Sequence, residues 1–117
     1  MDDRFSQQLK KGVLEMLVLH LLCRKPAYGY ELLTLLKAQS DGQFSLKEGT
    51  LYPILYRLED EGLIQAFWSH GEGRSAPKKI YAPTSAGLEE NARRISIWKS
   101  FSMTVSSFLQ EDPYHET

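Results

Sequence analysis

Apolar and polar positions alternate with a helical period over most of this chain and with a strand-like period over a short middle stretch. Leu9, Val13, Met16, Leu17, His20 and Leu21 keep the helical spacing, which predicts a first helix over about Ser6 to Arg24, stopped by Pro26. Leu32, Leu33, Leu35 and Leu36 predict a second helix from about Tyr28 to Gln39, followed by a turn at Asp41-Gly42. Leu51, Leu55 and Leu58 fall at i, i+4 and i+7 and give a third helix one core-facing stripe. Ser45 and Glu48 form an S-x-x-E capping box at its start, and Gly62 supplies the left-handed residue at its end. Pro53 lies inside it and removes one backbone hydrogen bond, so the start falls between Leu46 and Thr50. Leu63 to Ser69 and Lys78 to Ala82 read as two strands of a hairpin, joined by a Gly-, Ser- and Pro-rich loop over His70 to Pro77. Thr84 or Ser85 caps a last helix that runs to about Gln110, before Asp112-Pro113.

The order helix, helix, helix, strand, strand, long helix predicts a mainly α fold with a two-stranded β-wing. That is a winged helix-turn-helix over residues 1–83, with a C-terminal helix and tail over 84–117. In such a fold the third helix enters the major groove and the wing reaches neighbouring phosphates or the minor groove.

The polar side of the third helix fits that role. Gly49, Tyr52, Pro53 and Tyr56 make a small, aromatic, hydroxylated face with Lys47 and Arg57 beside it. Such groups hydrogen-bond phosphates and touch base edges. Lys47 stands at the positive pole of the helix dipole, where phosphate is attracted, and Glu59, Asp60 and Glu61 stand at the far end. The other reading of this face is an ordinary solvated surface with a mixed-charge tail.

The last helix carries more apolar surface than one small domain covers. Leu88, Ala92, Ile95, Ser102, Val105 and Leu109 recur at about 3.5 residues, and Ile97, Trp98, Phe101 and Phe108 widen the stripe. The cover is either the helix's own domain or a second copy. A two-fold homodimer, with Leu88, Ile95, Val105 and Leu109 in its seam, sets two recognition helices about 34–36 Å apart on a two-fold symmetric operator in double-stranded DNA. Near the two-fold axis, paired Trp98 indoles either pack the dimer core or form a flat slot for an aromatic small molecule.

Composition bounds the alternatives. At 117 residues the chain is one domain, and its 42% apolar share supports a small core. The net charge of −1 is low for a nucleic-acid binder, yet Arg74, Lys78 and Lys79 form an acid-free basic run at the wing. Cys23 is the single cysteine and sits in an apolar helical run, so no internal disulfide forms and a buried thiol is expected. His20, His70 and His115 lie in unrelated segments with no metal-ligand spacing, and no nucleophile stands with a base, which argues against an enzyme, a metal or a cofactor. The apolar run Val13 to Leu22 is too short to span a bilayer and is interrupted by Glu15 and His20, so a cytoplasmic protein is expected.

The blocks Tyr28-Gly29-Tyr30-Glu31-Leu32, Gly49-Thr50-Leu51-Tyr52-Pro53, Glu61-Gly62-Leu63-Ile64 and Lys79-Ile80-Tyr81 resemble the PadR family of bacterial transcription regulators, over about residues 9 to 110. The single C-terminal helix is similar to the smaller, multidrug-sensing subfamily. The resemblance implies a homodimeric winged-helix repressor released by aromatic compounds. It implies DNA contacts at Tyr28, Lys47, Thr50, Tyr52 and Tyr56, and at the wing residues Arg74, Lys78 and Lys79. It also implies ligand contacts at Trp98, with Met16 on a second wall and Phe101 beside it. The wing departs from the family pattern, since Ser75-Ala76-Pro77 lengthens the approach to Lys78 and Pro83 stands where leucine is common. Trp68, next to the wing, competes for the role of ligand contact. The alternative function is a winged-helix module that binds protein rather than DNA; steep loss of affinity with salt separates the two.

Overall fold

In the computed structural model, which describes residues 3–70, 73 and 75–110, the chain runs α1 (Arg4–Arg24), β1 (Ala27–Tyr28), α2 (Gly29–Gln39), α3 (Glu48–Asp60), β2 (Ile64–Trp68), β3 (Lys79–Pro83) and α4 (Ser85–Leu109). The mainly helical winged fold expected from the periodicity is the one observed. The sheet carries one strand beyond the hairpin. β2 and β3 pair antiparallel, and β1 adds to the free edge of β3 through Ala27↔Tyr81 and Tyr28↔Ile80. Two residues between Pro26 and Gly29 offer no local strand signal; only the β3 edge makes them one.

Helix α1 begins where the Asp3 carboxylate accepts a hydrogen bond from Ser6 N at 2.9 Å. Its core side is Leu14, Val18, Leu19 and Leu22. The stripe that marked it in the sequence lies elsewhere on the helix: Leu9, Val13 and Met16 face one groove, and Leu17, His20 and Leu21 another. The helix is apolar on several sides because it packs against more than one element. Cys23 is half-buried against the core, its Sγ 3.8 Å from the Gly87 carbonyl oxygen, and burial pushes the thiol pKa up.

The core joins Leu32 and Leu36 of α2, Leu51, Ile54, Leu55 and Leu58 of α3, and Ile64 and Tyr81 of the sheet. The expected Leu51, Leu55 and Leu58 stripe is therefore the buried one. The capping box expected at Ser45 and Glu48 does not form. Lys47 is the N-cap residue of α3, and the Ser45 hydroxyl donates backwards to the Gly42 carbonyl at 2.9 Å. A short polar side chain bonding its own turn is the usual competitor of a cap. The far end of α3 is a Schellman turn: Gly62, at φ +77°, donates from N to Glu59 O at 3.0 Å, and Leu63 N donates to Leu58 O at 2.9 Å. The helix passes through Pro53 unbroken.

A tight joint links the end of α3 to the start of α4. The Thr84 hydroxyl donates to Gly62 O at 2.6 Å and accepts from Gly87 N at 3.0 Å, while Thr84 N donates to Leu63 O at 3.0 Å. Gly87 is the one buried residue among the 25 of α4, and a methyl there would overlap the Leu63 carbonyl. From this joint α4 packs along α1 and then projects, giving the molecule a 70 Å long axis. Leu88, Phe101, Met103, Phe108 and Leu109 along it are all exposed.

Candidate nucleic-acid interface and adjoining groove

Four of the candidate DNA contacts, Tyr28, Tyr52, Tyr56 and Lys78, are linked by a run of contacts from the wing to α3. The Lys78 ammonium lies 4.5 Å over the Tyr28 ring and 3.4 Å from its hydroxyl. Tyr28 is the N-cap residue of α2, and its backbone N–H donates to Glu31 Oε1 at 3.1 Å. The next residue, Gly29, leaves only enough room for the Tyr52 hydroxyl, which fills the space a Cβ would take. Tyr52 in turn lies 6.2 Å from Tyr56, ring to ring. On the core side of the hairpin, the Lys79 ammonium stands 5.5 Å over the Tyr81 ring.

Burial, reinforced by the nearby Tyr56, Glu59 and Tyr52, pushes the Tyr81 phenol up to about 12, so it stays neutral at any physiological pH. Burial, then Glu48 and Tyr56, likewise raise Tyr52. Lys47 and Thr50 are exposed at the front of α3, at the positive end of its dipole, with the Thr50 N–H donating to the Lys47 carbonyl at 3.0 Å. Tyr56 is half exposed. Tyr52 is less free than its neighbours: its ring props α3 against the start of α2. Arg74 lies outside the described residues.

Arg57, which the sequence sets beside this face, turns to α1 and pairs with Glu15, Nε to Oε2 at 2.6 Å. It belongs to a cluster that no sequence pattern marks. Arg94 of α4 donates from Nε to Glu90 at 2.7 Å, and its terminal nitrogens reach Glu61, at the end of α3, at 3.7 Å and Glu15 at 4.0 Å. Arg93 also donates to Glu90, at 2.8 Å. Hydrogen bonding from Arg94, aided by Arg93, holds the Glu90 carboxyl below its ordinary value. The partners are far apart in the chain, so the one cue is that Glu15 is the only acid in an apolar helical run.

Met16, Trp98 and Phe101 do come together. They line an open groove of about 470 Å³ between α1 and α4, with Leu9, Val13 and Ile97 adding apolar wall and Glu15 and Arg94 the charged part. Trp98 is 42% and Phe101 60% exposed. Trp68 is 66% exposed at the end of β2 and does not line this groove. Of the expected dimer seam, Leu88, Val105 and Leu109 are uncovered and Ile95 is half-buried. Among the described residues no cluster of His, Cys, Asp and Glu could hold a metal, and no helix is long and apolar enough to cross a membrane.

Comparison with known proteins places this arrangement. The profile of the transcriptional regulator PadR-like family matches residues 18–93. The crystal structure of a PadR-family transcriptional regulator from Eggerthella lenta DSM 2243 superimposes with a TM-score of 0.76 at 36% identity, covering 91% of this chain and 89% of that one. That of a PadR-like transcriptional regulator from Bacillus cereus strain ATCC 14579 gives 0.78 at 34% identity, covering 90% and 99%. The negative transcriptional regulator PadR of Bacillus subtilis (strain 168) is 33% identical over 78 residues, which is 67% of this chain but 42% of that protein. The chain thus spans about two-fifths of that longer relative.

Proposed function

This chain belongs to the PadR-like family of transcriptional regulators, and from that premise we propose that it is a homodimeric repressor that binds a two-fold symmetric DNA operator and is released by a planar aromatic effector. The observation that carries the DNA reading is the unbroken line from Lys78 through Tyr28 and Tyr52 to Tyr56. It joins a wing cation to the exposed side of α3 on one surface. Docking begins electrostatically, with Lys47, Lys78 and Lys79 meeting phosphates; Thr50 and Tyr56 then reach base edges, while Tyr52 sets the seat of α3 against α2. The exposed apolar length of α4 is the surface that a second copy covers. The groove holding Met16, Trp98 and Phe101 is apolar, aromatic and large enough for a flat polycyclic molecule.

The test begins by selecting duplexes from a random pool with the purified protein; a two-fold repeat is the expected product. On the selected duplex, Lys78→Ala with Lys79→Ala weakens binding to specific and unrelated DNA alike. It also lowers the slope of log affinity against log salt by about 0.9 for each phosphate no longer neutralised. Thr50→Ala weakens the selected duplex more than an unrelated one. An affinity indifferent to salt in the parent protein would instead indicate a protein-binding module. For the effector, a panel of planar aromatics is titrated into a Trp68→Phe variant; quenching of Trp98 emission is expected for at least one.

A further inference from the structure

The aromatic groove and helix α3 share a wall. Glu15 lines the groove beside Met16. It also lines a second hollow between α1 and α3, of about 470 Å³, together with Thr50, Pro53 and Arg57. Its side chain is 30% exposed, and one carboxylate oxygen holds Arg57 of α3 at 2.6 Å. Arg94 stands on the opposite side of the groove. Its Nε is committed to Glu90 at 2.7 Å, but its terminal nitrogens are loosely engaged, at 4.0 Å from Glu15 and 3.7 Å from Glu61. Both charged residues of the groove therefore hold α3, one near its last turn and one at its C-terminal cap.

We propose that Arg94, steadied by Glu15, is a positioning residue that couples the groove to α3: an anionic occupant of the groove draws Arg94 from Glu61 and Glu15 and so releases the end of the recognition helix from its DNA-competent position. This rests on reading the groove as the effector site. A planar molecule with an anionic group, seated between Met16 and Trp98, meets the loosely held fork of Arg94 in a geometry suited to a two-point hydrogen bond. Pairing there competes with pairing to Glu61 and to Glu15. Occupant and α3 thus contend for the Arg94 guanidinium, which gives the differential interaction with two states that any ligand-driven shift requires. Partly exposed ion pairs are individually weak, so the coupling is moderate, roughly fivefold to thirtyfold in DNA affinity. The buried Leu51, Ile54, Leu55 and Leu58 keep α3 folded while it shifts.

The probe is anilinonaphthalene sulfonate, an aromatic anion with a planar naphthalene, used with the full chain in a Trp68→Phe background. Dye affinity is read from Trp98 quenching, and affinity for the selected duplex from fluorescence anisotropy with and without saturating dye. The parent is expected to bind the duplex at least fivefold more weakly with dye. Glu15→Gln combined with Glu61→Gln is expected to bind dye more tightly than the parent, because the carboxylates that compete for Arg94 are gone, yet lose less than twofold of its DNA affinity on adding it. Arg93→Gln, outside the contacts to α3, leaves it unchanged. Full coupling in the Glu15/Glu61 double variant overturns the proposal. So does loss of coupling in Arg93→Gln, or dye binding in the parent without effect on the duplex. If dye and the aromatic panel both fail to bind a parent that still holds the duplex, the effector reading falls, and this proposal falls with it.

Discussion

Gly87 meets the Leu63 carbonyl so closely that no side chain fits, and backbone cannot move aside as a flexible side chain can. Gly87→Ala is expected to lower stability by about 1–3 kcal/mol, read as a shift of the urea midpoint at unchanged slope. Glu90 gives a pH signature. Its pKa is lowered in the folded state by Arg94 and then Arg93, from an ordinary 4.5, so its contribution is present above that value and is lost as pH falls through the lower folded value. Glu90→Gln is therefore expected to lower the melting temperature at pH 7, with the difference closing as both proteins are titrated well below pH 4.5. These residues show where the sequence was silent. Gly29 and Gly87 are ordinary glycines on paper, and only the Tyr52 ring and the Leu63 carbonyl explain them. Glu15, Arg57 and Arg94 meet across separations that no local pattern spans.

At the scale of elements, legibility followed how local the cause was. The Leu51, Leu55 and Leu58 stripe, the Gly62 stop and the Thr84 cap are local, and each reads through directly. The start of α3 did not, because Ser45 bonds Gly42 instead of capping, and strand β1 did not, because it exists only against β3. Helix α1 misdirects for another reason: with apolar residues on several sides, its clearest stripe is not its most buried one. Helix α4 repeats the difficulty on a larger scale, since its Leu88, Val105 and Leu109 have no cover within one chain. Val105→Asp and Leu109→Asp each set a carboxylate into the proposed seam, where burying an unpaired charge is costly. Sedimentation at micromolar concentration is expected to show the mass falling from two chains to one, with helix content retained.

For the molecule as a whole, a net charge of −1 hides a strong asymmetry. Lys47, Lys78 and Lys79 lie toward the wing and the front of α3, whereas Glu59, Asp60 and Glu61 occupy its far end. The composition understated the basic face because it sums over both ends. Cleavage footprinting on the selected duplex is expected to show two protected stretches on one side of the DNA, separated by one helical turn of about 34–36 Å; a single short stretch would contradict paired recognition helices. The joint at Thr84 and Gly87 gives that spacing a mechanical sensitivity. Because the start of α4 is hydrogen-bonded to the turn that ends α3 through Gly62 and Leu63, a tilt of α4 is expected to be felt first at that end of α3. With 25 residues α4 is about 37 Å long, so a tilt of about 5° at the pivot displaces its tip by roughly 3 Å. Read in reverse, the proposed effector would be a shim a few ångströms thick beneath that long arm, and the joint is where its thickness would reach α3.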